Sequence, residues 1–197
     1  LTYRGYSIDD LATQATFEEV AYLLIYKKLP ARNELDDYRN KLISLRGLPA
    51  ALKTVLEQLP ANAHPMDVLR TGCSALGCIE PEGKERDQIA IANRLLAAFS
   101  SMLLYWHHFS KTGKRIETKT DDATMAGHFL HLLHGKPSDD LFVRAMDVSF
   151  ILYAEHEFNA STFTARTTAS TLADFYSAIT SGIGALRGNL HGGANEA

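Results

Sequence analysis

The chain has 197 residues, of which 46% are apolar and 22% charged, enough for one large core or two small ones. A formal net charge of −3 leaves no basic footprint for nucleic acid. The sequence holds no uninterrupted run of 18 apolar residues, so no membrane span is expected. Cys73 and Cys78 stand at C-x4-C spacing in apolar surroundings. That is neither a redox nor a zinc pattern, and both are expected as buried thiols in a reducing cytoplasm. Leu1 opens the chain inside a polar stretch without a secretory leader, and both ends are expected to be cut from something longer.

Apolar spacing is helical almost throughout. Thr16 and Glu19 form a T-x-x-E box ahead of Phe17, Val20, Ala21 and Leu24, and Pro30 follows the stop. A second helix starts near Asn33 with Leu35, Tyr38, Leu42 and Leu45 on its stripe, and Gly47 and Pro49 end it. Pro65 suits the first position of a third, with Met66, Leu69, Cys73 and Leu76 on one face. Arg86 to His108 is spaced for about six turns, followed by a polar surface loop. Asp121 or Asp122 is expected to cap the next helix, which Gly135 and Pro137 terminate. Ser138 or Asp139 opens a helix through Tyr153, and another is expected from about Ser161 to Ile179. No strand alternation competes with these. The fold class is all-α, with eight or more helices, no linker dividing the chain and no sheet beyond a stray hairpin.

Three constellations could carry chemistry. His128, His131 and His134 make H-x-x-H-x-x-H; the first two share a helix face, but no fourth ligand is evident, so packed or surface histidines are the better reading. His107 and His108 point to different sides of a helix end. In YAEHEFNASTF, His156 lies between Glu155 and Glu157, with Asn159 and Ser161 beyond, where one helix ends and another begins. Asn159 or Ser161 can serve as a cap there, or the cluster can bind an anion with His156 as donor. In LRGNLHGGANEA, Gly188, Gly192 and Gly193 let the backbone approach a ligand, and Asn195 and Glu196 suit a helix start. An imidazole such as His191 can offer a hydrogen bond to a developing enolate oxygen; a plain glycine-rich turn is the alternative.

LYAEHEFNASTFTAR followed by LRG-x-LHGGANEA closely resembles the citrate synthase family. RGYSIDDLA and GHFLHLLHG look most like its 2-methylcitrate synthase branch. The resemblance covers nearly the whole chain. It implies a helical large domain, truncated before the small domain, so that residues 1–197 form its N-terminal part and are inactive alone. It implies that the enol of an acyl-CoA attacks the ketone of oxaloacetate and the thioester is then hydrolysed. The acyl group is propionyl in the 2-methylcitrate branch and acetyl in citrate synthase; acyl-CoA is a substrate, and no cofactor or metal is implied. By motif match His191 is catalytic, Ser161 orients it, and His156 and Asn159 bind substrate. A second catalytic histidine and an aspartate base lie further along in the family. The resemblance also implies a homodimer; the cysteine usage, net charge and apolar patterning lead to the expectation of a cytoplasmic protein that binds neither nucleic acid nor membrane. Asn189 departs from the family's usual proline, two residues before His191, and loosens that turn. Outside the family, a helical metal-binding or scaffold module built on the H-x-x-H-x-x-H face is the alternative.

Overall fold

The computed structural model describes residues 1–195 of the chain. Helices occupy 66% of it. The elements are β1 (Thr2–Tyr3), β2 (Tyr6–Ser7), α1 (Ile8–Gln14), α2 (Phe17–Tyr26), α3 (Arg32–Ser44), α4 (Ala50–Glu57), α5 (Pro65–Ile79), α6 (Gln88–Thr112), α7 (Met125–His134), α8 (Asp140–Tyr153), α9 (Ala160–Ser170) and α10 (Phe175–Leu186), with a final 3₁₀ turn at Gly192–Asn195. They group into two compact units, each drawn from two separated stretches of sequence.

The first unit comprises Leu1–Gly47 and Thr118–His156. Its hairpin turns through Arg4 and Gly5, both at positive φ, and pairs Tyr3 with Tyr6. This is the only sheet among the described residues. Tyr3, Leu11, Val20, Leu23 and Ile151 form the core. Burying such side chains contributes about 1.5–3 kcal/mol each. The Glu19 carboxylate closes the first turn of α2 by accepting the Thr16 amide at 2.7 Å and its hydroxyl at 2.9 Å. Arg46 is 1% exposed. Its guanidinium donates to the carbonyls of Thr120, Asp122 and Thr124 at 2.9, 2.7 and 3.1 Å, which ties the polar 118–124 stretch to the end of α3. Buried Glu18 accepts the Met125 amide, the first of α7, at 2.7 Å. The cap of α7 is Thr124, whose hydroxyl accepts from the Gly127 amide, in place of the expected aspartates. Asp122 is already engaged by His131 at 2.8 Å.

The second unit comprises Leu48–Glu117 and Glu157–Ala197. Its spine is α6, from which Ile91, Leu95, Ala98, Met102, Tyr105 and Trp106 enter one core with Leu52, Leu56, Val68 and Leu76. This helix is long and apolar enough to cross a membrane by composition, yet 67% of its most apolar window is buried within the fold. It also buries Asn93, Arg94, Ser100 and Ser101, and Arg94 pairs with Glu80 at 2.9 Å. Such polar burial fits a core helix.

Three expectations are corrected in this unit. The single helix expected from Ser161 to Ile179 is two, α9 and α10. The chain breaks at Leu172, which adopts φ 62°, and restarts where Asp174 accepts from the Ser177 amide at 3.0 Å. Gly182 of α10 lies against Ala165 and the Ser161 carbonyl of α9, and Thr168 meets Ser181 at 2.8 Å. The short helix α4 stands between the stop after α3 and Pro65, where no helix was expected. Of the two thiols only Cys73 is buried, while Cys78 is exposed. Five residues turn a helix by about 140°, which carries Cys78 off the core stripe.

Candidate functional site

Asn159, Ser161 and His191 meet in the second unit. Asn159 is the N-cap of α9: its Oδ1 accepts from the Thr162 amide at 2.7 Å and from the Ser161 hydroxyl at 2.6 Å. The capping reading of this residue therefore holds. Ser161 stands in the first turn, where a helix has no internal partner for its amides. Its amide points at His191 Nε2 at 3.3 Å, and its hydroxyl lies 2.9 Å from the same nitrogen. A backbone amide can only donate, so Nε2 accepts and the ring proton sits on Nδ1. The hydroxyl has one proton for two acceptors, Asn159 Oδ1 and His191 Nε2. The arrangement leaves an Nδ1–H on His191 as a donor to a ligand oxygen.

The glycines around His191 serve the chain itself. The amides of His191 and Gly193 both donate to the Gly188 carbonyl, at 2.9 and 3.2 Å, folding the loop back on the end of α10. A Cβ on Gly192 would lie 2.4 Å from the Leu186 carbonyl oxygen and 2.8 Å from its Cδ1. Within the chain, the close approach that requires glycine at 192 is to the end of α10. Asn189 sits in this loop, between Gly188 and the Leu190–His191 step. The helix start expected around Asn195 is a 3₁₀ turn over Gly192–Asn195, and Glu196 lies outside the described residues.

His156 ends the first unit and is exposed there. Its ring lies 6.1 Å from that of Tyr153, inclined at 68°. The preceding amide, of Glu155, donates to the Tyr3 hydroxyl at 3.3 Å. Tyr3 stands some 150 residues away in sequence, and no periodicity or spacing marks it as a neighbour of this turn.

The histidines of α7 take separate roles. His128 is fully buried, with Nδ1 at 3.0 Å from the Thr120 hydroxyl. Burial and then the Arg46 charge push its pKa down to about 3. His131 pairs with Asp122, whose carboxyl is held low because bonds from Thr120 and His131 outweigh the opposing effect of burial. Among the described residues no three His, Cys, Asp or Glu side chains converge as a metal site would require. A groove of about 640 Å³ runs along α5 and α10, lined by Arg70, Ser74, Cys78, Tyr176, Thr180 and Gly184 among others. None of the four motif residues lines it.

Comparison with known proteins gives a consistent picture. The family model described as citrate synthase, C-terminal domain, matches residues 1–197. The chain is 62% identical to the 2-methylcitrate synthase of Shewanella oneidensis, over all of this chain and 52% of that protein. It is 40% identical to the citrate synthase of Deinococcus radiodurans, over all of this chain and 53% of that one. The structure of citrate synthase from Thermoplasma acidophilum, in ternary complex with carboxymethyl coenzyme A and oxaloacetate, superposes with a TM-score of 0.89 at 29% identity. That match covers 98% of this chain and 51% of the other. The chain spans about half the length of the curated relatives it matches.

Proposed function

The chain belongs to the citrate synthase family, and from that premise we propose that it is part of a 2-methylcitrate synthase, which condenses propionyl-CoA with oxaloacetate. The observation that carries the choice of branch is 62% identity to a relative of that name, against 40% to the citrate synthase. In this reaction a base removes a proton from the carbon beside the thioester. The resulting enol forms a carbon–carbon bond to the ketone of oxaloacetate. Water then cleaves the thioester and releases CoA.

His191 acts on the thioester. Its Nδ1–H donates to the carbonyl oxygen as negative charge develops there, a contribution typically worth about 10² to 10³ in rate. Ser161 positions the ring through Nε2. A donor fixed in advance costs no reorganisation when the charge appears. His156 binds oxaloacetate by hydrogen bonding. By motif match Asn159 lies close to the same pocket; the bonds its Oδ1 makes to Ser161 and Thr162 of α9 support a role in holding Ser161.

The motif order, His156 before the His191 loop, supports placing the chain in the N-terminal part of the large helical domain, although the matching family model carries a C-terminal description. No cofactor enters this reaction. Two free cysteines fit a cytoplasmic location. Exposed Leu141, Phe142, Leu152 and Tyr153 on α8, and Phe163 on α9, support a homodimer; a strictly monomeric protein by light scattering at high micromolar concentration would count against it.

The test is CoA release with oxaloacetate and either propionyl-CoA or acetyl-CoA, in a family member of full length that carries this sequence. A higher kcat/KM for propionyl-CoA is expected. Equal or better use of acetyl-CoA would reassign the chain to citrate synthase.

A further inference from the structure

Tyr3 is 1% exposed, yet its phenol is polar and must be satisfied where it lies. Its hydroxyl donates to the Ile151 carbonyl at 2.9 Å, with the Leu152 carbonyl at 3.3 Å, and accepts from the Glu155 amide at 3.3 Å. These partners are the last turn of α8 and the residue immediately before His156. At this helix end one side chain from the N-terminal hairpin gathers the Ile151 carbonyl, which also accepts the Ala154 amide at 3.2 Å, the Leu152 carbonyl and the Glu155 amide. The hairpin is itself held in register, Tyr3 against Tyr6, and the Ile8 amide closes it onto the Leu1 carbonyl at 3.1 Å. Burial raises the Tyr3 pKa, and the Glu155 carboxylate nearby adds to the effect, so the phenol stays protonated and able to donate.

We infer that Tyr3 is a positioning residue: its hydroxyl sets the course of the chain from α8 into His156 and so fixes where that imidazole is presented. Phenylalanine fills the same core space, but cannot bind either the carbonyls or the amide. The Glu155 amide then loses the Tyr3 hydroxyl as acceptor and His156 samples other positions. Arg144 anchors α8 independently, donating to the Ala15 and Ala12 carbonyls at 2.8 and 2.5 Å, so the helix stays in place when the phenol is removed. The consequence for function rests on the reading of His156 as an oxaloacetate ligand.

The experiment is NMR and hydrogen exchange on the chain carrying Tyr3→Phe, with Leu11→Ala as a control that damages the same core without touching the hydroxyl. The expected result is loss of exchange protection at the Glu155 amide and loss of the Tyr153–His156 ring contact in Tyr3→Phe alone. The amides of Val20 and Leu23 should keep their protection in both variants relative to global stability. An unchanged Glu155 amide and His156 ring in Tyr3→Phe, or the same loss in Leu11→Ala, would overturn the inference. A second arm measures oxaloacetate in the full-length family member. Tyr3→Phe should raise KM for oxaloacetate roughly tenfold, the effect of about one hydrogen bond, with kcat changed far less. If His156→Ala leaves oxaloacetate binding intact, the reading of His156 fails while the first arm still decides the role of Tyr3.

Discussion

Alanine at Gly192 tests how the His191 loop is built. The added methyl would stand 2.4 Å from the Leu186 carbonyl oxygen, about 1 Å inside ordinary contact. The atom it meets is backbone at the end of α10, so no side-chain rotation relieves the clash. The loop must move instead, at a cost of about 1–3 kcal/mol, the scale of overpacking. A displacement of that size takes His191 Nε2 out of reach of the Ser161 hydroxyl, now at 2.9 Å. In a full-length family member a misplacement of about 1 Å costs on the order of 10² in turnover. Gly135→Ala is the comparison: φ there is 71° and the space is open, so strain of about 1 kcal/mol is incurred far from the loop in sequence. Urea unfolding gives the stability change, and exchange of the Ser161 amide reports the site. The expected outcome is destabilisation by both variants, with loss of Ser161 protection beyond the global effect only in Gly192→Ala. Retained Ser161 protection and unchanged His191 ring signals in Gly192→Ala would refute this account of the loop.

Three further outcomes follow from the geometry. Arg46→Ala leaves the carbonyls of Thr120, Asp122 and Thr124 without their donor and should destabilise the first unit by about 3–5 kcal/mol, measured by urea unfolding. His128 has its pKa lowered from 6.5 to about 3 in the fold, so the unfolded chain takes up a proton that the folded chain refuses. Its contribution is complete above pH 6.5 and falls by up to about 1.4 kcal/mol per pH unit on acidification toward 3; His128→Gln should flatten that slope in chemical denaturation across the same range. Asn159→Ala should cost about 1 kcal/mol through the lost cap, whereas Asn159→Asp keeps an acceptor and should recover most of it in thermal melts.

The parts legible in sequence were those fixed by neighbouring residues. The Thr16–Glu19 box and Pro65 at the first position of α5 mark true helix starts because both act within one turn, and Asp139 stands at the N-terminus of α8 although its side chain makes no cap bond there. The α9–α10 break was not legible: TTASTLADFY contains neither glycine nor proline, and the turn is made by Leu172 in a conformation such residues rarely adopt. The burial of His128 was also hidden, since it depends on a loop that Arg46 folds over from another stretch of chain. The Ser161–His191 contact spans 30 residues, and only the family motif, not spacing, brought the two together beforehand. Tyr3 has no such motif-based role, and its partners lie some 150 residues further along the chain.

The central claim is that His191, held by the start of α9, supplies the donor that stabilises the enol of an acyl-CoA. Its most direct test is the rate of CoA release from propionyl-CoA and oxaloacetate by a full-length family member carrying this sequence, with and without His191→Ala. The account predicts a turnover number lowered by at least about 10² in the variant. An unchanged turnover number in His191→Ala would remove His191 from the mechanism and contradict the account.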